Sequence, residues 1–101
     1  MIKVTDEWTQ EEYLRNRRVY KNRNIKVILV DTINKPIEGT ETLLYNPHAI
    51  KKYPTGSILV FYCDTGKSTK ERLTEYRKKF PNYPCVSLRG GRGYWRKTLR
   101  V

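Results

Sequence analysis

The run SILVFYCDTGKSTKER, residues 57–72, puts Cys63 where an apolar, strand-like stretch stops and a helical pattern starts. A thiol in a tight loop that opens a helix faces unpaired backbone N–H groups and the positive end of the helix dipole. Settings of this kind lower a cysteine pKa from about 8.5 towards roughly 3.5 to 7.5, which makes Cys63 the candidate nucleophile. The expected substrate-binding loop is Asp64, Thr65, Gly66, Lys67, Ser68 and Thr69, with its main-chain amides turned towards the sulfur. Gly66 permits a positive φ or a close approach of another chain segment. Lys67 offers charge to an anion, and the hydroxyls of Ser68 and Thr69 donate hydrogen bonds or cap the helix. Asp64 would raise the thiol pKa if its carboxylate faced inward, so it is expected to point to solvent.

Two other loop chemistries share parts of this spacing. Gly66-Lys67-Ser68-Thr69 after a strand matches the second half of a nucleotide P-loop, but Phe61 stands where the first glycine belongs. A cysteine phosphatase loop closes on an arginine that grips phosphate through paired hydrogen bonds, and here Thr69 takes that position. Only a guanidinium from elsewhere, such as Arg72 or Arg92, would replace it. No metal or cofactor is expected: His48 is the only histidine, and the chain's 2 cysteines form no C-x-x-C pair. Cys85, inside the strand-like run PCVSL, reads as a small buried hydrophobe.

The elements that must position the loop follow from periodicity. Ile2 to Val4 reads as a short strand, Thr5 and Thr9 are both candidate N-caps, and Thr9 with Glu12 forms a capping-box pattern for a helix running to about Tyr20. Ile25 to Val30 has the nearly unbroken apolar character of a parallel strand covered on both faces, and Asp31 closes it. Residues 32–56 carry Pro36, Gly39, Pro47, Pro54 and Gly56 and read mainly as loop, with a short strand near Leu43 to Tyr45 and a short helix over His48 to Lys52. Then come a strand Ser57 to Tyr62, a helix from about Lys67 to Phe80 stopped by Pro81, a strand Val86 to Leu88, and a last helix carrying Tyr94 and Trp95. Strands alternating with helices predict an α/β fold whose sites lie beyond the carboxyl ends of the strands. That rim would gather Asp31, Cys63, Arg89, Gly90, Gly91 and Arg92. Asp31 is expected to accept loop amides, His48 to lie on the surface, and Trp8, Tyr94 and Trp95 to pack in the core.

At 101 residues with 38% apolar content, the chain is sized for one domain, residues 1–101, with a modest core. Its apolar runs are too short to cross a membrane, and the opening MIKVTDEW has no signal-peptide pattern, so the expected compartment is the cytoplasm. Lysine and arginine number 21 against 10 acidic residues, a formal net charge of +11 that favours anionic partners of any size. The cations cluster at Arg15, Arg17, Arg18, Lys21 and Arg23, and again at Arg89, Arg92, Arg96, Lys97 and Arg100. Arg92, Arg96 and Arg100 would share one face of a terminal helix.

The stretch ILVFYCDTGKSTKERLTEYRKKFPNYPCVSLRGGRGYW resembles the C-terminal half of a single-domain rhodanese. It carries an apolar strand, a Tyr-Cys-x-x-Gly-x-Ser-Thr loop, a helix, a strand and then Gly-Gly-x-x-x-Trp. The earlier VILVD resembles the family's strand ending in Asp, although Ile33 stands where the family carries an arginine, and the family's Gly-His-Ile-Pro-Gly-Ala segment is absent. The resemblance implies a rhodanese-like three-layer fold, with a mainly parallel central sheet and helices on both faces. It also implies a sulfurtransferase that moves a sulfane sulfur, from thiosulfate, a polysulfide or a protein persulfide, through a Cys63 persulfide to a thiol or cyanide. Such a protein would need no cofactor and would act as a monomer on a small anionic donor or a protein persulfide. The competing expectations are a rhodanese-like binding module that has lost catalysis and holds an acidic protein or RNA on its basic surface, and a cysteine-phosphatase-like enzyme.

Overall fold

In three runs, apolar side chains alternate between two opposite sides of one sheet. The structure, a computed structural model, describes residues 2–99. Its strands are β1 (Glu7–Trp8), β2 (Val27–Asp31), β3 (Thr42–Leu44), β4 (Ile58–Tyr62) and β5 (Cys85–Leu88), and its helices are α1 (Gln10–Lys21), α2 (Pro47–Ile50), α3 (Lys67–Glu71) and α4 (Leu73–Lys79). The strands form a five-stranded sheet in the order β1-β5-β4-β2-β3, and every pairing is parallel. The expected α/β class with a parallel sheet is what the chain adopts.

Register explains why the central strands are apolar throughout. Val27 lies opposite Ile58, Asp31 opposite Tyr62, Leu59 opposite Cys85 and Phe61 opposite Ser87. Ile28, Val30, Leu59, Phe61 and Cys85 point to one side, where Ile50 of α2 and Leu73 and Tyr76 of α4 cover them. Leu29, Ile58, Val60, Tyr62, Val86 and Leu88 point to the other, beneath Tyr13 of α1 and beside Trp8 of β1. A strand buried on both faces has no use for polar alternation. Phe61 and Tyr76 stack at 4.0 Å between ring centroids and 3° between planes, so α4 is pinned to the end of β4 just before Cys63.

The crossovers share one hand. α1 carries the chain from β1 past two strands to β2 on one face, whereas α2, α3 and α4 carry it back in the opposite direction on the other. Ile33 and Ile37 of the β2–β3 connection pack on the α1 side, as the same handedness requires.

Several local expectations shift. The capping box is present: Thr9 Oγ1 accepts from the Glu12 amide at 3.1 Å, and the Thr9 amide donates to Glu12 Oε1 at 2.9 Å. Ile2 and Val4, however, are not in a strand. They pack as half-buried side chains on the core, and pairing with β5 begins only at Glu7. Ser57 lies outside β4 because its hydroxyl and amide both turn back to the Pro54 carbonyl. The short helix starts at Pro47, since Asn46 Oδ1 accepts from the amides of His48 and Ala49. The expected helix from Lys67 to Phe80 breaks at Arg72, whose φ of −91° and ψ of 3° separate α3 from α4.

The expected terminal helix does not form. The amides of Arg92 and Gly93 donate to the carbonyls of Cys63 and Asp64 at 2.8 and 2.7 Å, and amides spent on another loop cannot build a helical ladder. Tyr94 therefore does not pack in the core but stands 79% exposed, whereas Trp95 lies 5.9 Å from Tyr13 between ring centroids. The shared helical face for Arg92 and Arg96 is lost with the helix, and Arg100 lies outside the described residues. No helix of the described residues is long and apolar enough to cross a membrane.

Thr9→Ala removes the cap acceptor of α1 while leaving the sheet intact. It should lower unfolding free energy by about 1 kcal/mol, read as an earlier midpoint in urea denaturation with an unchanged slope.

Candidate functional site

Because all strands are parallel, their carboxyl ends share one rim. The chain leaves β4 towards one face of the sheet and leaves β2 towards the other, so the crevice where ligands collect in such folds lies beside the residues that follow β4. Cys63 is the first of these. The amide of Gly66 donates to Cys63 Sγ at 3.1 Å, and Thr69 Oγ1 lies 3.6 Å from the same sulfur. Burial, the largest single influence, pushes the thiol pKa up. Hydrogen bonds from the main chain and hydroxyl of Thr69 and from the main chains of Gly66 and Thr65 outweigh it, and the thiol sits below its ordinary value.

Behind the sulfur lies a residue that the sequence did not single out. Thr69 Oγ1 and Ser87 Oγ are 2.7 Å apart, and both hydroxyls reach the Gly66 carbonyl, at 3.4 and 3.5 Å. Ser87 is fully buried in β5 on the side of the sheet that carries Cys85. The signal was there in PCVSL: a hydroxyl inside an otherwise apolar strand must find a buried partner. Cys85 itself is 1% exposed, its thiol donates to the Tyr83 carbonyl, and burial pushes its pKa up to about 12 despite the nearby Arg77.

The Gly-Gly motif after β5 meets the Cys63 loop directly. Gly66 has φ +87°, and a β-carbon there would lie 2.8 Å from the Leu88 carbonyl oxygen and 2.9 Å from the Gly90 nitrogen. At Gly91, with φ +57°, a β-carbon would collide with the Cys63 carbonyl oxygen. Main chain thus lies on main chain, held by the Arg92 and Gly93 amides. Cys63 is only 5% exposed, and it lines neither the cleft beside α1 and β2 nor the cleft formed by Thr65, Lys67, Arg89 and Tyr94.

The other expected site residues divide. Gly66, Thr69, Gly90 and Gly91 are buried around the sulfur, while Thr65, Lys67 and Ser68 are exposed on the loop's outer flank. Asp64 points to solvent, 4.0 Å from Lys35 Nζ. Asp31 is buried on the rim, where its Oδ1 accepts the Ile33 amide at 2.8 Å, the backbone-holding role expected of it. Tyr62, the last residue of β4, has its phenol held well above the ordinary range by burial first and by the Asp31 charge second, and it donates to the Lys35 carbonyl. Arg89 and Arg92 are both exposed; Arg92 Nε donates to the Pro36 carbonyl at 3.3 Å. Thr69, which stands at the position of a phosphatase arginine, is bound to Ser87 at 2.7 Å. His48 is exposed, as expected.

No known protein family, curated protein or solved structure matches this chain.

Two measurements test this geometry. Thr69→Val keeps the volume but deletes the hydroxyl beside Sγ, so the pH midpoint for alkylation of Cys63 by iodoacetamide should move upward from a wild-type midpoint below that of a free thiol, with Cys85 unreactive throughout. Gly91→Ala adds both left-handed strain and a backbone collision, and should cost upwards of about 2 kcal/mol in denaturant unfolding. Gly39→Ala, at φ +80° with open space around it, should cost only about 1 kcal/mol.

Proposed function

We propose that this protein is a rhodanese-type sulfurtransferase that carries sulfur as a Cys63 persulfide. The observation that carries the reading is the direct amide-to-sulfur hydrogen bond from Gly66, joined by the Thr69 hydroxyl and a thiol pKa held below its ordinary value. The resemblance of the Tyr-Cys-x-x-Gly-x-Ser-Thr loop and the Gly-Gly-x-x-x-Trp segment to that family supports it, as does the contact between those two segments around one cysteine. On this reading the parallel sheet with helices on both faces is a rhodanese-like three-layer fold, and the protein works as a cytoplasmic monomer without a cofactor.

The chemistry balances without an outside oxidant. The Cys63 thiolate attacks the outer sulfur of thiosulfate, a new S–S bond forms, and the S–SO3 bond breaks with its electron pair leaving on sulfite. The persulfide anion that remains takes hydrogen bonds from the loop amides. A thiolate or cyanide then attacks the terminal sulfur and Cys63 departs as thiolate, which completes a two-step covalent cycle. A protein persulfide enters the same cycle with its thiolate as the first leaving group, and a polysulfide with the polysulfide anion shortened by one sulfur as the first leaving group. The exposed Lys67 draws the anionic donor to the loop.

A second reading, a rhodanese-like module that binds without catalysis, is favoured by the 5% exposure of Cys63 and by Ile33 in place of the family's arginine. One experiment separates the two. Incubation with thiosulfate or polysulfide, followed by intact mass measurement, should show one added sulfur atom that cyanide removes and that Cys63→Ala never acquires. Absence of the adduct with every sulfane donor tried would leave the non-catalytic reading standing and end the first.

A further inference from the structure

An open cleft of about 640 Å³ lies on the outer flank of the Cys63 loop, within the range of small-ligand clefts. Lys67 of the loop and Arg89, Tyr94 and Arg96 of the segment after β5 all line it. Its charge is unbalanced. Lys70 is paired with Glu7 at 3.4 Å and Glu11 with Arg15 at 3.1 Å, whereas Lys67, Arg89 and Arg96 make no side-chain ion pair among the described residues. Tyr94 stands among them, 79% exposed.

That tyrosine is held, not loose. Its ring backs onto Gly90, where any β-carbon would lie 2.6 Å from Cδ2, and its amide donates to the Gly90 carbonyl at 3.3 Å. On the far side, Gln10 grips the main chain of Arg96 in both directions, with Nε2 donating to the carbonyl at 2.7 Å and Oε1 accepting from the amide at 2.8 Å. Trp95 between them is packed on Tyr13. A rigid aromatic face open to water, flanked by unpaired guanidinium and ammonium groups, matches what stacks an unpaired base and holds its phosphates.

We infer that this cleft binds single-stranded RNA, with a base stacked on Tyr94 and the adjoining phosphates on Arg89, Arg96 and Lys67. A duplex keeps its bases stacked inside, so it presents no free base face to the ring. An acidic polypeptide would satisfy the cations but leave the aromatic face unused. Glu7 and Glu11 also line the cleft, and their carboxylates favour RNA over DNA, because a ribose 2′-hydroxyl can donate to them and deoxyribose cannot. The inference stands whether or not Cys63 carries sulfur, and Cys63→Ser should bind RNA as the wild type does.

The test is fluorescence anisotropy with a fluorescein-labelled ten-nucleotide RNA of mixed, non-self-complementary sequence, with the matching DNA and a polyglutamate peptide as competitors. Tyr94→Leu should weaken binding roughly tenfold and Tyr94→Phe by less than about twofold, as loss and retention of one stacked base require. The double variant Arg89→Ala, Arg96→Ala should flatten the dependence of log affinity on log salt by about 1.4, at roughly 0.7 for each single-strand phosphate that is no longer neutralised. Because these side chains are exposed, the variants should match the wild type in circular dichroism. Wild-type affinity in Tyr94→Leu, or displacement by DNA or polyglutamate at concentrations equal to those of unlabelled RNA, would overturn the inference and leave only unspecific attraction between opposite charges.

Discussion

The contact on which the site depends is between two stretches of main chain, the turn after β5 lying against the loop after β4. Peptide groups can approach this closely only where side chains are missing, which is why Gly66 and Gly91 face each other across the contact. The Arg92 and Gly93 amides then satisfy the Cys63 and Asp64 carbonyls. Fixing the loop from outside leaves its inner amides aimed at the sulfur. The same contact diverts the chain after Gly91 away from a helix and sends it across α1, where Gln10 captures it.

Sheet topology makes that contact attainable. β4 and β5 are neighbours with parallel direction, so their exits emerge side by side at one rim, although the chain between them includes two helices. The stack of Phe61 on Tyr76, with Tyr45 and Phe80 packed around it, fixes α4 against β4. Ser87, directly opposite Phe61 in register, delivers its hydroxyl from β5 to Thr69 at the start of the return path. Core packing and site geometry are therefore set by the same few residues of β4 and β5.

Much of this was legible beforehand, and for identifiable reasons. The apolar strands of β2 and β4, the capping box at Thr9 and the loop at Cys63 are written in local patterns that depend on immediate neighbours. The loop after β5 was not. Gly-Gly followed by Tyr94, Trp95 and spaced arginines has helical periodicity, and only the distant carbonyls of Cys63 and Asp64 overrule it. The same long-range contact explains why Cys63 is more enclosed than a loop position suggests. Ser87 escaped notice because its partner lies 18 residues away, on a helix whose register with β5 no local rule supplies. The break at Arg72 is likewise invisible to a pattern that reads Leu73, Tyr76 and Phe80 as one continuous helical stripe.

The carboxylate next to the cysteine sharpens the electrostatics. Two unit charges about 4 Å apart interact by only about 1 kcal/mol in water, and Asp64 is both exposed and close to Lys35. A hydrogen bond to a charged group is worth roughly 1.5 to 3 kcal/mol, and the enclosed sulfur receives such bonds from more than one donor. Enclosure, which by itself disfavours the thiolate, also keeps water from screening those donors. The direction of the thiol's shift is thus decided by the inward-facing amides and the Thr69 hydroxyl, not by the charge of the residue beside it. Cys85 shows the other outcome: it is buried more deeply than Cys63, and that burial, opposed only by Arg77, holds its thiol above the ordinary value.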